Sequence, residues 1–143
     1  MKKNKQNVEK NELCKEWFDS WSGEYDKRIK NKSKGYPFER YFQVLNHFLN
    51  SLKNCEGLKI LDLGIGTGLM SFELYKRGAT IYGGDFSGDM LEKAKERITG
   101  AILFYFKLDE DFPKVLGSEK FDIILSTYAF HHIVDQRKIR LLK

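Results

Sequence analysis

The spacing of apolar positions changes near residue 58, and the change divides the chain into two parts. Before it the spacing is helical. Trp17, Phe18, Trp21 and Tyr25 recur at three- and four-residue steps, which predicts a short helix over 13–25 with one aromatic face. Pro37 suits the opening of a second helix, because a first-turn position needs no N–H. In that helix Phe38, Tyr41, Phe42, Leu45, Phe48, Leu49 and Leu52 form an amphipathic stripe, and Asn54 and Gly57 stop it. Between the two helices, Lys27–Lys34 carries five basic residues in eight and reads as a solvated loop.

Beyond residue 58 short apolar runs alternate with helical patterns. Leu58–Leu63 is almost wholly apolar and runs into glycines, as a buried parallel strand does. Leu69–Arg77 reads as a helix with Gly78 as its C-terminal cap, and Thr80–Gly84 as a second strand. Ser87 caps a helix to about Ile98, with Asp89 in its first turn and Lys93, Lys95 and Arg97 toward its end. Ile102–Phe106 and Phe121–Ser126 are two further strands, and Asp135 starts a last helix. This alternation predicts an α/β fold with a parallel, doubly wound, Rossmann-like sheet and right-handed crossovers. The expected divisions are a frayed polar start (1–12), N-terminal helices acting as a cap or lid (13–54), and the sheet domain (55–143).

Composition narrows the function classes. The chain has 143 residues, 41% of them hydrophobic and 31% charged, enough for one packed core. Its 25 Lys and Arg against 20 Asp and Glu give +5, too mild for a dedicated nucleic-acid coat. No apolar run approaches the ~20 residues of a membrane span, and the Lys-rich start lacks a signal peptide's apolar stretch. Cys14 and Cys55 fit no metal or redox spacing and read as reduced thiols in a cytoplasmic protein.

Ligands of open α/β sheets bind beyond the carboxyl ends of the strands, so those ends carry the chemistry. The first delivers Asp62-Leu63-Gly64-Ile65-Gly66-Thr67-Gly68, whose glycines permit a tight turn and close approach to backbone N–H groups. The second ends in Gly84-Asp85-Phe86-Ser87. Asp85 lies 21 positions after Gly64, near the ~20 at which an acid reaches ribose hydroxyls. Phe86 and Met90 are expected to offer apolar faces to an adenine ring, and Asp109, after the third strand, to accept from its exocyclic amine. The fourth strand leads into Ser126-Thr127-Tyr128-Ala129-Phe130-His131-His132. Leu69 occupies the third small position of the dinucleotide fingerprint, and Asp62 would repel a pyrophosphate while attracting an ammonium. Those two features favour S-adenosylmethionine (SAM) over NAD as the nucleotide.

The Asp-Leu-Gly-x-Gly-x-Gly element resembles that of the class I SAM-dependent methyltransferases. Phe18-Asp-Ser-Trp21-Ser-Gly-Glu-Tyr25-Asp26 and Ser126-Thr-Tyr-Ala-Phe-His-His132-Ile-Val-Asp135 look like the uncharacterised bacterial YrrT-type members, from about Phe18 to the last residue. The resemblance implies that Asp62, Gly64 and Gly66 hold the methionine end of SAM and Asp85 the ribose, with Gly68 also counted among the cofactor-binding residues. It implies further that Asp109 holds the adenine amine and that Tyr25 closes over the cofactor as part of a lid. Leu108 stands where family members usually carry Gly. The family sheet runs 3-2-1-4-5-7-6, and only its first four strands have counterparts here. The expectation is therefore a truncated product or a chain completed by a partner. Phe121, Ile123, Ile124 and Leu125 would then lose burial, with self-association through the fourth-strand edge as one remedy.

His131 and His132 are adjacent, their side chains are expected to diverge, and no Cys or third His joins them, so no metal site is expected. Tyr128, His131 and His132 are the acceptor-side candidates, one imidazole suiting a general base at neutral pH. The expected reaction is in-line transfer of the SAM methyl to a small-molecule acceptor, governed mainly by alignment. Ser126-Thr127-Tyr128 in place of Pro-Pro-Tyr disfavours DNA adenine. The alternatives are a SAM-binding module without turnover and an NAD-dependent oxidoreductase.

Overall fold

The computed structural model describes residues 41–108 and 113–141. The expected helix over 13–25, the basic loop, Tyr25 and Asp109 lie outside the described residues. Within them the chain forms α1 (Tyr41–Ser51), β1 (Lys59–Leu63), α2 (Leu69–Tyr75), β2 (Thr80–Asp85) and α3 (Gly88–Arg97). β3 (Ile102–Tyr105), β4 (Ile123–Leu125) and α4 (Asp135–Leu141) follow, with 3-10 turns at Lys114–Leu116 and Phe130–His132.

All three strand pairings are parallel, in the order β3-β2-β1-β4. The chain therefore walks outward from β1 through β2 to β3, then crosses back to lay β4 on the other side of β1. That reversal puts the topological switch point, where open sheets leave a crevice, at the carboxyl ends of β1 and β4.

Side-chain alternation builds the two faces of the sheet. Ile60 and Ile81 face the layer formed by α1, α2 and α3, where they meet Leu45, Leu49, Met70, Leu74, Ala94 and Ile98. Leu61, Leu63, Tyr82, Phe104 and Phe106 face the opposite way, against Leu116 of the 3-10 turn, with Phe121 and Leu141 at the margin. The central strands are covered on both sides, which is why they read as continuous apolar runs rather than alternating ones.

Several ends differ from the sequence expectation by local chemistry. α2 stops at Tyr75, and Gly78, at φ +94°, turns the chain so that the Ala79 N–H reaches the Leu74 carbonyl. Arg77, expected inside that helix, instead donates to the carbonyls of Leu49 and Leu52 at the end of α1. A cation thus satisfies the orphan acceptors there and complements the helix dipole. β4 is only three residues long, but the Asp122 N–H still donates to the Lys59 carbonyl and the Asp122 carboxylate accepts from the Lys59 N–H.

The expectation that four apolar side chains of this region go uncovered needs correction. Leu125 is buried, Ile123 packs against the helical layer, and Phe121 meets Tyr82 edge-on at 5.0 Å. Only Ile124, on the opposite face, stands open at 61% exposed. The helical layer, with α1 in it, covers the inner pair.

Gly83 sits where Ile65 and Leu103 close over β2; a β-carbon there would collide with the Ile65 side chain and lie 3.0 Å from Leu103. Gly83→Val should therefore destabilise the chain by about 1–3 kcal/mol through overpacking, read as a lower midpoint in urea denaturation followed by circular dichroism.

Candidate functional site

β1 has four consecutive buried residues, and its alternation fixes where the polar one points. Asp62 shares the face of Ile60, toward α2, and is 1% exposed. There the Ser71 hydroxyl, on the inner side of α2 with Met70 and Leu74, donates to Asp62 Oδ2 at 2.6 Å. Oδ1 of the same carboxyl is buried and has no hydrogen-bond partner among the described residues. Burial is the main force on this group and pushes its pKa up to about 7. The Ser71 bond acts in the opposite sense, and the nearby Asp85 charge adds to the rise.

The five residues 64–68 form the turn from β1 into α2. Gly64, Gly66 and Gly68 all have φ between 55° and 84°, the left-handed region that side chains resist. Gly64 is constrained twice, because a β-carbon there would also strike Ala129 of the loop after β4. At Gly66 a β-carbon would meet nothing within 4 Å, so the backbone here borders open space.

The turn is tied to β2 by its amides. The N–H groups of Gly64 and Ile65 donate to the Gly84 carbonyl at 2.8 and 3.1 Å, and the Gly66 N–H donates to Asp85 Oδ2 at 2.8 Å. Asp85 Oδ1 accepts from the Ser87 N–H at 3.0 Å, and Ser87 in turn caps α3 by accepting from the Met90 N–H. From the far end of α3, Arg97 donates to both the carbonyl and the hydroxyl of Thr67, at 2.7 and 3.1 Å. A carboxylate at the end of β2 and a guanidinium at the end of α3 therefore hold the turn together.

The loop after β4 closes the other side of the crevice. The Ser126 hydroxyl donates to the Leu63 carbonyl at 2.6 Å, joining the ends of β4 and β1. Tyr128 follows at φ +56°, a strained conformation for a residue with a side chain. A cavity of about 420 Å³ lies beside it, walled by Val44, Phe48, Met70, Leu125, Thr127 and Tyr128 among others.

His131 and His132 do not diverge as expected. Their ring centroids are 3.9 Å apart, because neither side chain of the short 3-10 turn is held away from the other by the core. Loss of hydration, then repulsion from His131, lowers the pKa of His132, so its imidazole is neutral at neutral pH. No group of three metal-ligating side chains occurs among the described residues.

The methyltransferase-domain family matches residues 60–143, from β1 to the end of the sequence. This chain belongs to that family. An uncharacterized methyltransferase of Geobacillus sp. strain WCH70 is 34% identical over 125 residues, which is 85% of this chain and 55% of the relative. An uncharacterized methyltransferase of Oceanobacillus iheyensis is 34% identical over 131 residues, covering 88% of this chain and 57% of the relative. The chain spans about half the length of the curated relatives it matches.

Solved structures agree on the fold. The magnesium protoporphyrin IX methyltransferase of Synechocystis PCC 6803, solved with bound S-adenosylhomocysteine (SAH), superposes with a TM-score of 0.70 at 18% identity, over 92% of this chain and 64% of that one. A SAM-dependent methyltransferase of Mesorhizobium loti superposes with a TM-score of 0.58 at 29% identity, over 75% of this chain and 47% of that one. The fold is the Rossmann-like α/β architecture of SAM-dependent methyltransferases, and the cofactor of this family is SAM. The family match lends no support to the NAD-dependent alternative.

In this methyltransferase domain, Asp62, Gly64, Gly66, Gly68 and Asp85 converge on one turn, as their spacing implied. Asp85 is more than a ligand candidate, since it also fixes the turn and the start of α3. The expectation for Met90 needs correcting. At 2% exposed it lies inside the protein and presents no open apolar face, because the Ser87 cap turns it inward in the first turn of α3; Phe86 beside it is only half-buried. Sequence reasoning passed over Ser71, Arg97 and Ser126. For Ser71 the signal was available, as a lone polar residue between Met70 and Leu74 on the buried side of a helix.

The sign of the Asp62 shift has a measurable consequence. An acid whose pKa rises on folding costs stability as pH rises from its ordinary range, near 4, to its folded value near 7. Asp62→Asn removes that penalty. Urea denaturation should show the variant gaining on the parent by about 1–3 kcal/mol between pH 5 and pH 8.

Proposed function

We propose that this chain carries the cofactor site of a SAM-dependent methyltransferase acting on a small-molecule acceptor. The observation that bears the reading is Asp62 Oδ1, a buried carboxyl oxygen without a partner beside a turn of open backbone. Burying such an atom costs free energy unless something donates to it. An ammonium is the complementary donor, and the amino-acid end of SAM carries one.

The other residues fit the same ligand. The open space at Gly66 admits a ligand close to the backbone. A carboxylate has about four acceptor positions, so Asp85 can hold the turn and still serve a ribose diol. Phe86, half-buried after β2, offers a ring to adenine. Tyr25 as a lid residue and Asp109 as acceptor for the adenine amine complete the proposal. Bound SAM supplies a methyl group already activated by its sulfonium.

The chain's own part in the reaction is alignment. Ser126 and Ala129 seat the loop after β4 directly against the glycine turn, so an acceptor held by Tyr128, His131 and His132 would lie beside the cofactor. The neutral imidazole of His132 is in the right form to take a proton from a weakly acidic acceptor.

Isothermal titration with SAM, SAH and NADH tests the reading. SAM and SAH should bind and NADH should not; NADH binding without SAM binding overturns it. Asp85→Ala should weaken SAM by about 1–3 kcal/mol, since it removes a charged hydrogen-bonding group and loosens the turn.

A further inference from the structure

The two oxygens of Asp62 are not equivalent, and one neighbour makes them so. Ser71 is fully buried and has a single hydroxyl proton, which it gives to Oδ2 at 2.6 Å. Among the described residues nothing donates to Oδ1. A carboxyl anchored at one oxygen cannot rotate to spread its charge, so its remaining acceptor keeps one direction. The anchor also comes from a helix rather than a loop. Ser71 stands on α2 between Met70 and Leu74, which pack into the core, so the donor is as rigid as the fold.

We propose that Ser71 is a positioning residue for the cofactor: its bond to Oδ2 orients the Asp62 carboxyl and reserves Oδ1 for the ammonium of a bound amino-acid moiety. The inference rests on the reading that Asp62 meets the amino-acid end of SAM. It adds a second task, because a donor bond to a carboxylate favours the ionised form. Asp62 sits at the margin of ionisation, pushed up by burial and by Asp85, and Ser71 opposes both.

The surroundings leave that task to Ser71. Asp85 at the end of β2 is the charged group acting on Asp62, and it acts in the unfavourable sense. β4 places Leu125 opposite Asp62 in register, and α3 directs Arg97 to Thr67. An ammonium binds the ionised carboxylate, so losing Ser71 should penalise binding most where Asp62 hovers between its two forms and least where it is ionised anyway.

The test is calorimetric titration of SAH into the full chain and its Ser71→Ala, Ser71→Thr and Ser71→Cys variants, from pH 6 to 8.5. In the parent, affinity should fall as pH drops through about 7. In Ser71→Ala the midpoint should move up by ~1 unit, weakening SAH ~5-fold at pH 7 but by less than ~2-fold at pH 8.5. Ser71→Thr, which keeps the hydroxyl, should restore the parent profile. Ser71→Cys, which keeps the size with a weaker donor, should fall between, and it carries the comparison if the alanine variant does not fold. A loss of affinity equal at every pH, or an unmoved midpoint, overturns the positioning role while leaving the cofactor site standing. Failure of the parent chain to bind SAH at any pH overturns the site reading, and this inference falls with it.

Discussion

A carboxylate buried beneath a glycine turn is the constraint around which the rest of the domain is arranged. Asp62 occupies an interior position of the central strand, where an apolar residue would pack at no electrostatic cost. The fold accepts a group whose burial pushes its pKa up to about 7 and partners only one of its two oxygens. Such a feature lowers the stability of the empty protein, and functional sites are where a fold commonly carries that kind of cost. A ligand that donates to the second oxygen recovers some of it, so burial itself becomes a source of affinity and selectivity.

The surrounding contacts keep this arrangement from relaxing. If the turn were loose, water would reach Asp62 and its pKa would settle back toward the ordinary carboxylate range. It is held from three sides: Gly84 and Asp85 of β2 take its amides, Arg97 takes Thr67, and the loop after β4 lies against Gly64. The acidic residues at the ends of β1 and β2 therefore differ in kind. Asp85 turns its oxygens to the backbone N–H groups of Gly66 and Ser87, whereas Asp62 has one oxygen on Ser71 and the other without a partner among the described residues.

The same geometry connects cofactor side and acceptor side. The Ser126 hydroxyl joins β4 to β1, and the close approach of Ala129 to Gly64 leaves no room for a side chain at the latter. Tyr128 pays for this closeness with a left-handed backbone at φ +56°. A change in the β4 loop is thus felt in the turn that grips the cofactor, and alignment between the two partners is built into the fold rather than left to chance.

Much of this was legible from the order of residues alone. Helical spacing through Leu45 and Leu49, the apolar run ending at Leu63, Ser87 as a cap and the glycines after Asp62 are local signals, and each named its element to within a few residues. The alternation of strand and helix also fixed the parallel sheet, because short crossovers allow few other topologies. What one dimension cannot carry is which oxygen of Asp62 has a partner, that Arg97 returns to Thr67 thirty residues earlier, or that Met90 is buried. Those outcomes depend on contacts between elements distant in the chain, and on water being excluded only once all of them have packed. Periodicity chose the elements and their chemistry, and tertiary burial decided which charges were satisfied and which was left waiting for a ligand.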